Sequence, residues 1–130
     1  LETEEFRMLY AILCYHSEDA VGSWSKEEED AVMGRLGTIT GRLASEGRLG
    51  PVARLLPTTA ATTLRNDGHG APLVLDGPFA ETKEQLLGFY LIDCETLDDA
   101  IAVTKEISEA NPGGSHELRP VGYFTKGEKV

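Results

Sequence analysis

The chain has 130 residues, 41% hydrophobic and 26% charged, as in a globular domain, and it is long enough to bury a core without a metal or a disulfide. Its 12 basic and 22 acidic residues give a formal net charge of −10. That excess argues against sequence-independent nucleic-acid binding, which needs a Lys/Arg surface to displace counterions, and against adsorption to an anionic membrane. No apolar run approaches the roughly 18–20 residues of a membrane-spanning helix, and the acidic start Leu1-Glu-Thr-Glu-Glu5 lacks the basic and apolar regions of a secretory signal. One domain over residues 1–130 is expected, in the cytoplasm, with Cys14 and Cys94 as reduced thiols.

Residues 6–15 (FRMLYAILCY) read as a strand that is apolar on both faces apart from Arg7, with Met8, Tyr10, Ile12 and Cys14 on one side and Leu9, Ala11 and Leu13 on the other. Residues 25–46 read as a helix. Ser25 and Glu28 form a Ser-x-x-Glu capping box, and Glu27 to Asp30 place negative charge at the favourable end of the helix dipole. Val32, Leu36, Ile39 and Leu43 make its buried stripe, and Gly47 ends it. Trp24, just before the cap, suits a hydrophobic staple or a lid over a pocket, with the staple preferred.

Residues 52–56 and 60–65 are expected as two short strands around Pro57, followed by a turn at 66–70 and a short strand at 73–76 that stops at Gly77-Pro78. Residues 86–94 (LLGFYLIDC) are a second strand that is apolar on both faces. Thr96 caps a second helix with Asp99 three residues on; its inner stripe is Leu97, Ala100, Ile101, Thr104 and Ile107, and Asn111-Pro-Gly-Gly114 breaks it. Residues 116–124 form the last strand.

The order is β-α-β-β-α-β with an extra hairpin inserted after the first helix, the α+β ferredoxin-like arrangement. Two helices cover only one face of such a sheet, yet two strands are apolar on both faces. A second copy is therefore expected against the other face, giving a homodimer built as a dimeric α/β-barrel.

The stretch from Asp76 to Glu84 reads DGPFAETKE. It resembles the signature of the DGPF-type proteins of the YCII-related family. Residues 88–93 (GFYLID), Arg119-Pro-Val121 and the segment Tyr15-His-Ser-Glu-Asp19 are similar to that family as well. The resemblance implies the dimeric α+β barrel and a regulatory link to extracytoplasmic-function sigma factors. One branch of the wider family dehydrochlorinates a chlorinated hydroxyquinol with a His on the first helix. Residues 26–46 contain no His here, so that chemistry is not carried over.

The residues themselves suggest two clusters. Asp76 ends a strand at a tight turn, where it either accepts backbone N–H bonds, with Phe79 plugging the core, or serves as a general base at a pocket mouth. Lys83 lies between Glu81 and Glu84 and suits an anionic substrate group; the bland alternative is a solvated charge run. His16 follows the first strand and is expected near His116, with Asp93 at the same sheet edge as an acid–base partner, while Asp76 is expected at the opposite edge near Arg7 and Tyr123. The candidate acid–base residues are thus Asp76, His16 and Lys83, and the candidate ligand contacts are Glu84, Glu81, Phe79, Tyr90 and His116. Cys14 and Cys94 are expected to end adjacent parallel strands, either as buried thiols or close enough to oxidise. No metal-ligand spacing, nucleotide fingerprint or nucleophile elbow is present, so no metal and no cofactor is expected.

Two function classes follow. The first is a small-molecule-binding homodimer, whose catalytic version is a cofactor-free enzyme of proton abstraction, isomerisation or elimination. The second is a non-catalytic regulatory or interaction module linked to a sigma factor, since an acidic protein can meet a basic partner without touching DNA.

Overall fold

In the computed structural model, which describes residues 8–127, the first strand β1 covers Leu9–His16. Phe6 and Arg7, expected at its start, lie outside the described residues. A short helix α1, Glu18–Gly22, follows and was not expected; the Ser17 hydroxyl caps it by accepting from the Ala20 N–H at 3.2 Å. Helix α2 is Lys26–Ser45. Its capping box is closed from both sides, with Ser25 Oγ accepting from the Glu28 N–H at 3.0 Å and Glu28 Oε1 accepting from the Ser25 N–H at 2.7 Å. It stops because Gly47 takes φ 73°, so that the Arg48 N–H donates to Leu43 O and the Gly47 N–H to Ala44 O, the paired bonds of a Schellman end.

Strand β2 is Leu49–Arg54, β3 is Thr62–Arg65, β4 is Leu73–Asp76, β5 is Gln85–Asp93, helix α3 is Leu97–Ala110 and β6 is Ser115–Pro120. A 3₁₀ turn over Thr58–Ala60 replaces the start of the strand expected at 60–65. The main sheet has the order β2-β5-β1-β6 with every neighbour antiparallel, and β3 and β4 pair only with each other. This is a mixed α+β fold with an open sheet in the ferredoxin-like order. The inserted hairpin is β3–β4. It enters after β2, one strand later than expected, because residues 49–54 and not 73–76 pair with β5.

The antiparallel pairing of β1 with β5 overturns two expectations. Leu9 faces Asp93 and Cys14 faces Gly88. Asp93 is therefore at the far end of β1 from His16, and the two cannot form an acid–base pair. Cys94 lies beside Met8, whose carbonyl accepts from the Cys94 N–H at 2.8 Å, so it is a strand's length from Cys14 and the two free thiols cannot be joined.

Both long helices lie on one face of the sheet. Val32, Leu36, Ile39 and Leu43 of α2 and Ala100, Val103, Ile107 and Ala110 of α3 close a core with Tyr10, Ile12, Ile92 and Cys94. Leu97, expected in the inner stripe, is exposed; Val103 and Ala110 take part instead. Arg48 locks one end of this layer. It donates to Asp93 O at 3.1 Å and to both carboxylate oxygens of Asp99, joining the end of α2 to the ends of β5 and α3. On the opposite face, strand alternation places Ala11, Leu13, Phe89 and Leu91, all half-buried, and no helix among the described residues covers them.

Gly88 sits in the middle of β5 between Cys14 of β1 and Arg54 of β2. A Cβ there would collide with the Ala53 carbonyl, so the close approach of β2 depends on the missing side chain. Gly88→Ala is expected to destabilise the fold by about 1–3 kcal/mol in urea denaturation. Unchanged stability would show that β2 can move without loss.

Candidate functional site

Beside Gly88 the register of β1 against β5 slips. Cys14 pairs with Gly88 and Tyr15 with Leu86, leaving Leu87 as the extra residue of a β-bulge. The bulge and the missing Gly88 side chain leave space under the first half of α2. A cavity of about 150 Å³ fills it, with Cys14, Gly88 and Tyr90 of the sheet on one side and Val32, Met33 and Leu36 of α2 on the other. Trp24 and Val21 close one end, and Asn111, just past α3, also lines the space. A wider groove of about 430 Å³ shares the walls Val21, Trp24 and Leu87 and continues toward Leu55, Leu56 and Pro57. Glu29 and Arg54 line both spaces and pair across them at 3.4 Å, so the charges at this boundary are already matched.

The interior is apolar, and its few polar groups are held neutral. Burial pushes the Cys14 thiol up to about 11, so it stays protonated and unreactive at neutral pH. Burial, and to a lesser degree Cys14, raises the Tyr90 phenol above its ordinary value. Asn111 Oδ1 is buried with no hydrogen-bond partner among the described residues. Among the described residues no group of three or more His, Cys, Asp or Glu side chains is placed to hold a metal ion.

The residues singled out from the sequence fall into three places. Tyr90 lines the cavity. His16, His116 and Glu84 gather at one end of the sheet: Cys14 pairs with His116 next to His16, and Ser115 Oγ donates to Glu84 Oε1 at 3.0 Å. His16 accepts at Nδ1 from the Ser17 N–H at 2.8 Å and meets Trp24 edge-on, with ring centres 6.2 Å apart, so it stands behind the cavity wall. Asp76, Phe79, Glu81 and Lys83 are exposed on the hairpin and the connection after it.

The Asp-Gly-Pro-Phe turn is held by neighbours of Asp76. Gly77, at φ 94°, donates to Ala61 O at 2.7 Å, and the Thr63 hydroxyl donates to Gly77 O at 2.7 Å. Phe79 is 75% exposed and does not plug the core, because the hairpin has no second layer in the single chain. Nor does Asp76 lie on the main sheet by Tyr123. Its end of the hairpin connects through Ala61 and Thr58 to Glu18, whose carboxylate takes both Thr58 donors at 2.7 Å, close beyond His16.

Sequence reasoning did not gather the cavity's residues into one site, although it had marked most of its walls for other reasons. Val32 and Leu36 were expected as core, Cys14 as a buried thiol and Asn111 as a helix breaker. Trp24 serves as a wall and not as a staple, since the position that a staple would touch is Glu29, a charged residue.

The model of the family described as the YCII-related domain matches residues 8–125 of the chain. An uncharacterised protein of Rhizobium meliloti (strain 1021) is 55% identical over 122 residues, which span 93% of this chain and 98% of that protein.

Burial, and secondarily the nearby His16, lowers the half-buried His116 below the ordinary 6.5. The native chain therefore binds fewer protons than the unfolded chain as pH falls through that region. The stability due to neutral His116 is whole above about pH 6.5 and is lost as pH falls toward the lowered native value. In urea denaturation, wild type is expected to lose more stability than His116→Gln between about pH 7.5 and 5.5. Equal losses would show that His116 does not carry this dependence.

Proposed function

The chain belongs to the YCII-related family, and from that premise we propose that it is a small-molecule-binding protein of the DGPF type, acting in the cytoplasm as a homodimer with its ligand in the cavity under α2. The cavity carries this reading. It is lined mainly by apolar side chains, with few polar residues among its walls and a matched charge pair at its mouth, the usual make-up of a small-molecule site. Its size is that of an apolar cavity that holds a single aromatic ring. The edge-on contact of His16 with Trp24 favours, as a second proposal, an acid–base role at the cavity's wall; Asp76 and Lys83 would join it only with groups from a second copy.

The chain has one tryptophan, and it is in the cavity wall, so its emission reports occupancy. Small aromatic probes are expected to shift Trp24 fluorescence and to raise the midpoint of thermal unfolding, with about 2.7 kcal/mol of stabilisation at a hundred times Kd. Cys14→Leu, which fills the cavity floor, is expected to remove both effects while leaving the chain folded. A panel of such probes that leaves Trp24 and the midpoint unmoved would overturn the cavity as a binding site.

Two features support the homodimer. The helix-free face of the sheet is apolar at Ala11, Leu13, Phe89 and Leu91. The β3–β4 hairpin holds Leu64 directly opposite Val74, each 62% exposed, and a two-stranded hairpin is marginal in water unless something covers it. Light scattering is expected to give twice the 14.1 kDa chain mass, and Leu64→Lys with Val74→Lys the chain mass alone. A wild-type monomer at micromolar concentration would exclude the dimer.

A further inference from the structure

Arg54 is the last residue of β2, and among the described residues that line the inner cavity and the outer groove it is the only Lys or Arg. Its guanidinium is held more loosely than those of the arginines that tie the helix layer. Arg42 holds Glu106 through two bonds of 2.6 and 3.0 Å, and Arg48 holds Asp99 through two of 3.0 and 2.9 Å. Arg54 has one contact with Glu29, at 3.4 Å, and one with the Met33 sulfur, at 3.7 Å. A single, long, exposed ion pair contributes little, and a thioether sulfur is a weak acceptor. Both side chains of the pair are about half exposed, so either can turn to water. Glu29 does not depend on Arg54, because it lies in the first turn of α2, where the helix dipole favours a carboxylate. The other acid on the outer groove, Glu18, is taken up by both Thr58 donors. A guanidinium presents a planar fork that a carboxylate fills with two parallel bonds, and Arg54, at the rim of an apolar space, lacks such a partner.

We propose that the ligand is a monocarboxylate with an apolar, ring-bearing body, its ring in the inner cavity beside Trp24 and its carboxylate on Arg54 in place of Glu29. The proposal rests on the reading of the cavity as a binding site and adds the chemical class of its ligand and the residue that selects it. Binding exchanges one carboxylate on Arg54 for a better-fitting one, so the guanidinium stays compensated before and after, and Glu29 turns to water. The net charge of −10 opposes the approach of an anion, but charges further than about 8–10 Å away are largely screened at ordinary ionic strength, and Arg54 acts within that range.

Phenylacetate, 3-phenylpropionate and 4-phenylbutyrate differ only in the reach from ring to carboxylate, and each has an amide of the same shape without the charge. Titrated into the full chain and followed by calorimetry and Trp24 emission, the best-fitting acid is expected to bind about tenfold tighter than its amide. Arg54→Met, which keeps an apolar stem, is expected to bring that ratio close to one by weakening the acid alone; Arg54→Gln serves if methionine disturbs the fold. Glu29→Gln removes the competing carboxylate and is expected to tighten the acid about threefold while leaving the amide unmoved. Acids and amides that bind wild type equally overturn the carboxylate class and leave the cavity reading standing. An acid preference that survives the loss of Arg54, or an acid affinity that Glu29→Gln leaves unchanged, overturns the exchange of partners at Arg54. Binding of none of these probes overturns the cavity reading and this proposal together.

Discussion

The antiparallel pairing of β1 with β5 is the interaction on which the other features of this protein depend. It forms the centre of the sheet, with β2 and β6 added at either side. Its direction separates Asp93 and Cys94 from His16 and Cys14 by the length of a strand. Its register sets Gly88 against Cys14, and the bulge at Leu87 follows. A side chain at Gly88 would push β2 away, and with β2 would go Val52, Ala53 and Arg54, one wall of the cavity. The binding space is thus a consequence of how the two central strands meet.

The helices are then fitted to that sheet. α2 and α3 pack side by side on one face, tied by the bidentate contact of Arg42 with Glu106 at 2.6 and 3.0 Å and by Arg35 donating to Ala110 O. The Arg42 hydrogen bond holds the Glu106 carboxyl below its ordinary range. Toward its C-terminal end α2 touches the sheet through Leu43, which is fully buried; toward its N-terminal end, beside the bulge, the contact opens into the cavity. A helix clamped at one end and spaced from the sheet at the other is a simple way to keep a small apolar space inside a short chain. No helix of the described residues is long and apolar enough to cross a membrane.

Much of this was legible in local sequence. The capping box at Ser25, the stop at Gly47 and the stripe Val32, Leu36, Ile39 and Leu43 all appear as read, because each is set by contacts within one helix or by which face turns inward. The meeting of His16 with His116 also followed from topology. The location of the hairpin did not, since Val52 to Arg54 and Leu73 to Asp76 are equally short and apolar and only pairing with β5 tells them apart. The site was read from its most chemical residues, Asp76, Lys83 and His16, whereas the enclosed space gathers residues from α1, α2, β1, β2, β5 and the end of α3 that look like ordinary core.

By itself the amino-acid sequence determined the two long helices with their caps, the two strands apolar on both faces, the tight turn after Asp76 and the α+β order, because propensity, capping and hydrophobic period act over a few neighbouring residues. Only the tertiary structure decided that β1 and β5 run antiparallel, that Gly88 faces Cys14, that Trp24 becomes a wall, and that the amide of Asn111, which in sequence merely stops a helix, is buried beside an apolar space. Those outcomes depend on strand register and on the meeting of segments dozens of residues apart, and a one-residue change of register would turn every side chain of a strand to the other face.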